Sequence, residues 1–375
     1  MKFTCLQENL VKGLSTVGKA VSLKGSLPVL SNVLISSDNG RLKLSATNLE
    51  TAITTWIGAS IDREGAVTIP ARILSEFVSN LPPSSIVGEV EGNILKLSCE
   101  KALSKFNGLD ASEFPDLPVF TEDSHLNIDS KLFGEAVLEA AFAAAVDESR
   151  PVLTGVLVNA SKDGLYMVSV DGFRLAEKIV SLNGKNLKKP FLAVIPAKTL
   201  LEVARLVGSL KDPLEISLSE EGNLVIFKVG DVLITSRTID GDFPEYKKLI
   251  PEKDKGTTVV KLPAKDFVNA LRLSNVFAKE ASSVVRIKVD SSENAVFVLS
   301  SNSEVGENNS KVSAEVSGKD MEVAFNSKFI MDVFNNVKSD EFVFSLPEKI
   351  GPGVPGVFKP SERDDHTYLV MPMQF

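Results

Sequence analysis

The residues that could carry out acid–base or metal chemistry are few and widely separated. The 375-residue chain has two histidines, His125 and His366, and two cysteines, Cys5 and Cys99. Neither pair has the spacing of zinc ligands, and two cysteines so far apart do not make a disulfide framework. The sequence also contains no GxxxxGK[ST] phosphate loop and no GxGxxG loop. We therefore predict a protein that binds rather than catalyses, with no cofactor and no metal.

One carboxylate stands where a general base could act. Asp171 lies in "SVDGFRLAEK" (169–178), beside a sharp turn and three residues before Arg174. The commoner use of an aspartate there is to accept hydrogen bonds from the backbone of the turn. A hydrolase or amidase that uses Asp171 remains an alternative at this point, but the shortage of histidines weighs against it.

Basic residues recur at one position of a repeated pattern. The position is occupied by Glu8, Arg72, Lys131, Lys198, Lys265 and Lys328, at intervals of 64, 59, 67, 67 and 63 residues. Each follows a β-like run and begins a segment with apolar residues at helical spacing, as in "VTIPARILSEFV" (67–78). A cation in the first turn of a helix is unfavourable by roughly 0.3–1 kcal/mol. Five such residues indicate a function, namely phosphate contacts without sequence readout, although lysines that merely extend over a solvated face are the alternative.

The elements that position these residues form a half-repeat of strand, helix and three strands, used six times. Its strands are separated by hairpin-length turns, which favours antiparallel sheet. Pairs of half-repeats make three domains, predicted at 1–124, 125–254 and 255–375, each with a sheet covered by two helices in an α+β fold. The helices are predicted at 7–24, 71–81, 130–146, 196–208, 263–279 and 326–338.

The charge distribution is uneven along the chain. The formal net charge is −8, which by itself argues against a polyanionic partner. The six predicted helical segments nevertheless hold twelve Lys and Arg against seven Asp and Glu. No apolar run approaches the length of a membrane span, and "MKFTCLQENLVKGL" has no secretory signal pattern. We expect a cytoplasmic protein that does not bind membranes.

Several stretches in order carry a family resemblance: "MKFT", "LPVLSNVLI" (27–35), "VTIPAR" (67–72), "VDGFRLA" (170–176), "DGDFPEYKKLIP" (240–251) and "YLVMPMQF" (368–375). With them the chain resembles, over its full length, the bacterial sliding clamps, the beta subunits of DNA polymerase III. The resemblance implies a DNA-clamp fold of three α+β domains, with antiparallel sheets outside and two helices per domain inside. It also implies a head-to-tail homodimer whose closed ring encircles double-stranded DNA without sequence preference.

The resemblance assigns roles to individual residues. The basic residues expected to face DNA are Lys24, Arg72, Lys131, Lys198, Arg205, Lys265 and Lys328. The expected dimer interface includes Phe106, Arg272 and Leu273, and Arg272 stands where the family often has an aliphatic residue. A scaffold of repeats that binds protein partners without closing a ring is the alternative function.

The resemblance further implies a groove between the second and third domains that binds extended peptides of the replicative polymerase subunit, the clamp loader and other clamp-motif proteins. Arg174 and Lys248 are expected to add charge at its rim. The apolar ending "TYLVMPMQF" (367–375) is predicted to be a last strand leading into the groove wall, with Pro372 ending the ladder. The predicted groove residues are Arg150, Leu153, Gly172, Arg174, Leu175, Pro244, Lys248, Leu249, Asn326, Phe329, Leu369, Met371, Pro372 and Met373.

Overall fold

The structure is a computed structural model that describes residues 1–22, 27–118, 125–182, 186–208, 210, 212–219, 221–251, 257–278, 283–347 and 354–374. The predicted domain boundaries, at 124/125 and 254/255, fall at or within segments outside these residues. Lys24 also lies outside them.

All six predicted helices are present, and the first and third are shorter than predicted. Predicted helix 7–24 ends at Val17 and is followed by a 3-10 turn at Gly18–Ala20, while predicted helix 130–146 ends at Ala141. The helices are α1 (Gln7–Val17), α2 (Ala71–Ser79), α3 (Ser130–Ala141), α4 (Ala197–Val207), α5 (Ala264–Ala278) and α6 (Ser327–Asn336).

The predicted order of strand, helix and three strands is confirmed in all six half-repeats, and two further short strands, β5 and β22, are inserted. The strands of the first three half-repeats are β1 (Lys2–Leu6), β2 (Asn32–Asp38), β3 (Arg41–Thr47), β4 (Thr51–Ile57), β5 (Ala59–Arg63), β6 (Ala66–Pro70), β7 (Ser85–Glu91), β8 (Ile94–Cys99), β9 (Ala102–Asn107), β10 (Leu126–Ile128), β11 (Gly155–Ser161), β12 (Gly164–Val170) and β13 (Arg174–Val180). The others are β14 (Phe191–Pro196), β15 (Leu214–Leu218), β16 (Leu224–Val229), β17 (Val232–Arg237), β18 (Thr258–Pro263), β19 (Val284–Asp290), β20 (Ala295–Asn302), β21 (Gly306–Ser313), β22 (Glu315–Ser317), β23 (Met321–Asn326), β24 (Glu341–Leu346), β25 (Gly356–Pro360) and β26 (His366–Val370).

The chain divides into two compact units, which are described separately. One comprises Met1–Gly134, Lys185–Lys189 and Glu202–Thr238, and the other comprises Glu135–Gly184, Pro190–Leu201 and Ile239–Phe375. The first unit holds a five-stranded sheet in the order β5-β1-β7-β8-β9 and an eight-stranded sheet in the order β10-β15-β16-β17-β4-β3-β2-β6. In the larger sheet β17 pairs with β4, so strands of the first two predicted domains share one sheet.

The second unit holds a nine-stranded sheet in the order β14-β11-β12-β13-β26-β25-β24-β18-β22 and a four-stranded sheet in the order β21-β20-β19-β23. Strand β26 lies in the interior of the larger sheet, antiparallel to both β13 and β25. We predicted one sheet per domain. The structure corrects this, because ladder bonds at the edges of neighbouring domains join their strands and leave fewer unpaired edges.

Apolar periodicity decides which face of each helix is buried. In α1, Leu10, Leu14 and Val17 recur at helical spacing and are all buried. Gly13 lies on the same face, and a Cβ there would stand 2.5 Å from Cδ1 of Leu44 in β3. Only glycine therefore lets α1 pack this closely against the sheet.

Proline and Asx residues mark the helix starts slightly earlier than expected. Pro70, Pro196 and Pro263 are the last residues of β6, β14 and β18 and directly precede a helix, whereas we placed proline just inside it. A residue that donates no ladder bond and resists the helical conformation of its predecessor suits this junction. At α3 the side chain of Asp129 instead accepts from the N–H of Leu132 at 2.8 Å, which satisfies a free helix donor.

Candidate partner-binding groove and basic helix positions

The predicted groove residues are carried by four elements of the second unit. These are the turn before β13, strand β26 with the residues after it, the start of α6 and a 3-10 helix at Tyr246–Leu249. Beneath them Leu153, Leu175 and Leu369 join one buried apolar cluster together with Tyr246. Burial raises the pKa of Tyr246, and Glu177 raises it further, so its hydroxyl stays protonated.

The turn before β13 is held by the carboxylate that could have served as a base. One oxygen of Asp171 accepts from the N–H groups of Phe173 at 2.8 Å and Arg174 at 2.9 Å. Gly172 has φ +96°, and a Cβ there would lie 3.2 Å from Nη2 of Arg150. The prediction of an Asx-type turn is confirmed, and the carboxylate is occupied in shaping it.

Arg174 is a buried anchor and not the rim charge that we predicted. Its side chain is 10% exposed, with Nε 2.9 Å from Asp171 Oδ2 and Nη1 paired with Asp332. Nη2 donates to the carbonyl of Phe142 at 3.0 Å. Burial acts to lower the pKa of Arg174, but its contacts with Tyr368 and the two carboxylates raise it overall. The rim prediction failed because local sequence could not reveal Asp332, which lies 158 residues away.

The guanidinium of Arg174 also packs on an aromatic ring of the groove. Its central carbon lies 4.7 Å from the ring centroid of Phe329. The carbonyl of Phe329 accepts from the hydroxyl of Tyr368 at 2.7 Å, and Tyr368 is fully buried, which raises its pKa. The first turn of α6 is therefore fixed to β26 through a hydrogen bond and to β13 through the guanidinium.

The residues after β26 connect the groove elements. The N–H of Met371 donates to Phe173 O, and that of Met373 donates to Ala324 O, both at 2.8 Å. Pro372 lies between these two donors, and the ladder with β13 ends earlier, at Val370. The side chains at 371–373 are half-buried, so each contacts the protein and keeps an open face. The predicted last strand is thus present, but bonding continues beyond Pro372 rather than ending there.

The remaining groove residues lie at exposed positions. Lys248 is exposed and ion-paired with Glu245, so it is the rim charge of this set. Leu249 follows it and is exposed as well. Pro244 is exposed and its carbonyl accepts from Tyr246 at 2.7 Å. Asn326 uses its side-chain oxygen to cap α6 at Lys328 N, 2.9 Å away.

The sequence prediction missed Phe173 and the residues that brace it. Phe173 is 61% exposed, and its ring stacks on Phe329 with centroids 6.4 Å apart. An apolar residue inside an Asp-Gly turn was the available signal, because turns normally carry polar residues. Asp332 and Tyr368 gave no such signal, since both fit an ordinary helix or strand pattern.

A buried cluster of charges lies at the other end of β26. Lys178 pairs with Glu139 at 2.7 Å and with Asp365 at 2.6 Å. His366 is buried, with Nε2 2.9 Å from Glu139 O, while Nδ1 has no hydrogen-bond partner in the described part of the chain. Burial lowers the pKa of His366 to about 4. The imidazole is therefore neutral at pH 7 and donates from Nε2.

The recurring position is the second residue of every α-helix in the described residues. Its six side chains are all exposed, and the five cationic ones have no carboxylate within ion-pair distance among those residues. Arg205 differs because it pairs with Glu202, which also lies 3.7 Å from Lys19. The five free cations are Arg72, Lys131, Lys198, Lys265 and Lys328.

The predicted interface residues lie on different units. Phe106 is only 8% exposed and packs edge-on against Phe77, with ring centroids 5.2 Å apart, so most of its surface is already covered within the chain. On the same edge strand, β9, Leu103 is 70% exposed. In α5 Arg272 is exposed and Leu273 is 57% exposed.

The described residues contain no helix long and apolar enough to cross a membrane. They also contain no group of three or more His, Cys, Asp or Glu side chains that could hold a metal ion.

Comparison with protein families gives three consecutive matches. Residues 1–118 match the N-terminal domain of the DNA polymerase III beta subunit, residues 127–245 match its central domain, and residues 247–374 match its C-terminal domain. The chain therefore has three clamp domains, built of antiparallel sheets and few helices in an α+β fold.

Known relatives cover the chain from end to end. The beta sliding clamp of Synechococcus elongatus is 31% identical over 377 residues, covering 100% of this chain and 99% of the relative. A sliding-clamp crystal structure from Bacillus subtilis is 26% identical with a TM-score of 0.94, covering 100% and 99% of the two chains. A clamp from Pseudomonas aeruginosa bound to griselimycin is 25% identical with a TM-score of 0.91 and covers 100% of both chains. The chain belongs to the family of DNA polymerase III beta subunits.

Proposed function

We propose that this protein is a DNA sliding clamp, a non-catalytic processivity factor that encircles duplex DNA as a head-to-tail homodimer ring. The observation that carries the proposal is the exposed cation at the second residue of five helices out of six. These residues tolerate an unfavourable helix-dipole position and are not neutralised by carboxylates in the described residues. Such cations suit phosphate contacts that hold DNA without reading its sequence.

The predicted residues Arg205 and Lys24 contribute differently to the proposed DNA surface. Arg205 is partly neutralised by Glu202, so we assign it a smaller share of the attraction than the five free cations. Lys24 keeps its assignment from the family resemblance alone. Weak contacts are sufficient because a closed ring is retained on DNA by topology rather than by affinity.

The dimer would form between the two free sheet edges that end the five-stranded and four-stranded sheets. Strand β9 is one edge and β21 is the other. Leu103 lies on β9 and Leu273 on α5, and both expose apolar surface that a partner chain would cover. Phe106 would support this surface from beneath, and Arg272 would lie at its margin.

The groove would bind extended segments of the replicative polymerase, the clamp loader and other proteins with clamp-binding motifs. Leu153, Leu175 and Leu369 would form its floor, while the half-buried Met371 and Met373 would adapt to different aliphatic anchors. Lys248 would contact polar residues of the partner from the rim. The relative that binds griselimycin shows that a clamp of this family accepts a ligand.

Catalysis is not part of the proposed function. Asp171, the one candidate base, accepts two backbone N–H groups and the guanidinium of Arg174 and is therefore engaged in structure. We also propose that the protein acts in the cytoplasm, where bacterial chromosomal DNA is replicated, and that its domains meet near residues 124/125 and 254/255.

The oligomeric state tests the proposal against a scaffold that does not close a ring. Light scattering after size exclusion is expected to give about twice the 40.4 kDa chain mass at micromolar concentration. Leu273→Asp is expected to yield monomers, because it buries a charge in the proposed interface. Leu192→Asp, at another exposed leucine, is the matched control and is expected to stay dimeric. A monomeric unaltered chain would remove the ring.

A further inference from the structure

One aromatic side chain is exposed next to the proposed groove. Among the described residues, Phe173 is the only aromatic in the set of large apolar side chains that are well exposed, at 61%. The other members of that set are leucines, isoleucines and valines. A solvent-facing phenylalanine is unfavourable unless a partner covers it, and aromatic residues are enriched where proteins bind one another.

The backbone holds Phe173 in a single position. Its N–H donates to Asp171 Oδ1 at 2.8 Å, and its carbonyl accepts from Met371 N at 2.8 Å. Both backbone polar groups of this turn residue are therefore used in rigid contacts. A side chain presented in this way loses little conformational entropy when a partner binds.

The ring of Phe173 rests on a braced neighbour. It stacks on Phe329 with an interplanar angle of 22° and a centroid separation of 6.4 Å. Phe329 in turn lies 4.7 Å from the guanidinium of Arg174, which is tied to Asp171 and Asp332. We name Phe173 and Phe329 the aromatic platform.

We propose that the aromatic platform makes the groove selective for partner segments that carry an aromatic side chain beside their aliphatic anchors. This inference rests on the groove assigned in the proposed function. An aromatic partner gains offset stacking in addition to the area it buries, whereas an aliphatic partner gains only the area. Phe173 is thus a specificity-determining residue, and the aliphatic floor beneath it sets general affinity.

The charge beside the platform disfavours a cationic partner. Arg150 is exposed, its guanidinium adjoins Gly172, and it donates to Asp171 O at 3.2 Å. It has no carboxylate within ion-pair distance among the described residues. A partner lysine or arginine could stack on a phenylalanine ring in principle, but here it would approach this uncompensated positive charge.

Synthetic peptides can separate stacking from burial. The probes are alanine-rich nonapeptides with two leucines one residue apart, because alternate side chains of an extended peptide face the same side. One flanking position at a time carries phenylalanine, cyclohexylalanine, leucine or lysine. Binding to the full-length protein is followed by fluorescence anisotropy, and cyclohexylalanine matches the apolar area of phenylalanine without its π-system.

At one flanking position the phenylalanine peptide is expected to bind about 2- to 10-fold more tightly than the cyclohexylalanine peptide. Phe173→Leu is expected to abolish this ratio while leaving the affinity of the leucine peptide within about twofold. Phe297→Leu, at a half-buried phenylalanine of β20, is the matched control and is expected to keep the ratio.

Two results would overturn the inference while leaving the groove in place. One is equal affinity for phenylalanine and cyclohexylalanine at every position, and the other is tightest binding of the lysine peptide. Failure of the groove itself is distinguishable, because then no peptide would bind, or removal of residues 371–375 would leave all affinities unchanged.

Discussion

Met371 donates its backbone N–H to the carbonyl oxygen of Phe173 at 2.8 Å. The two residues are almost 200 positions apart, and the bond fixes the segment after β26 against the turn before β13. Met373 extends the connection with a bond to Ala324 in β23. The apolar residues 371–373 are therefore an ordered part of the groove and are held by its own turn.

Removing residues 371–375 is expected to abolish binding of leucine-containing peptides and to leave the dimer intact. The deletion takes away two half-buried methionines and both backbone bonds that order this segment. We expect at least a tenfold loss of affinity, or about 1.4 kcal/mol. Fluorescence anisotropy measures the affinity, and light scattering measures the mass.

The control for this deletion is removal of residues 374–375 alone, which retains the Met373 bond and is expected to preserve binding. Peptide affinity that survives the longer deletion would show that the segment is not part of the groove.

Replacing Arg72, Lys198 and Lys265 by glutamate is expected to weaken association with duplex DNA and to flatten its dependence on salt. Each phosphate contact contributes about 0.9 to the slope of log K against log salt, so the slope is expected to fall by about 3 per chain. Titrating a labelled short duplex across a range of salt concentrations measures this slope.

A charge-matched variant with glutamate at Lys101, Lys162 and Lys288 serves as the control, because these lysines are exposed on turns or strands and not at helix starts. An equal loss in both triple variants would mean that total charge, and not the helix position, governs DNA binding.

Lowering the pH is expected to destabilise the protein through His366. Burial lowers the pKa of this group from 6.5 to about 4, so the unfolded chain binds a proton that the folded chain resists. Folding stability is therefore complete above pH 6.5 and falls as the pH drops toward 4. The loss by pH 5 is expected to be about 2 kcal/mol.

Urea unfolding at pH 7.5 and pH 5 measures this loss. In His366→Gln the amide can still donate to the carbonyl of Glu139 but cannot be protonated, so a smaller decrease is expected between the two pH values. An identical decrease in both proteins would assign the pH effect to other groups of the cluster, such as Glu139 and Asp365.

Much of the fold could be predicted because its signals are local. The second helical position at Arg72, Lys131 and Lys198 follows from a strand, a helix-start residue and apolar spacing that lie within about a dozen residues. The Asx turn at Asp171 was equally legible, since a single side chain and its next three residues determine it.

Features that depend on distant pairing could not be predicted in this way. Nothing near Arg174 reveals Asp332, and so a buried ion-paired anchor was taken for a rim charge. Shared sheets are another example, because the pairing of β17 with β4 joins residues about 180 positions apart. Phe173 was missed because an exposed aromatic is informative only after the turn that presents it is known.

Retention on circular DNA tests the central proposal most directly. The protein is loaded onto a nicked circular plasmid by its clamp loader, passed through a sizing column at high salt, and the plasmid is then cut once. A topologically closed ring is expected to remain with the circle at high salt and to be released by linearisation. Loss from the intact circle at high salt, or equal retention on circular and linear DNA, would contradict the account.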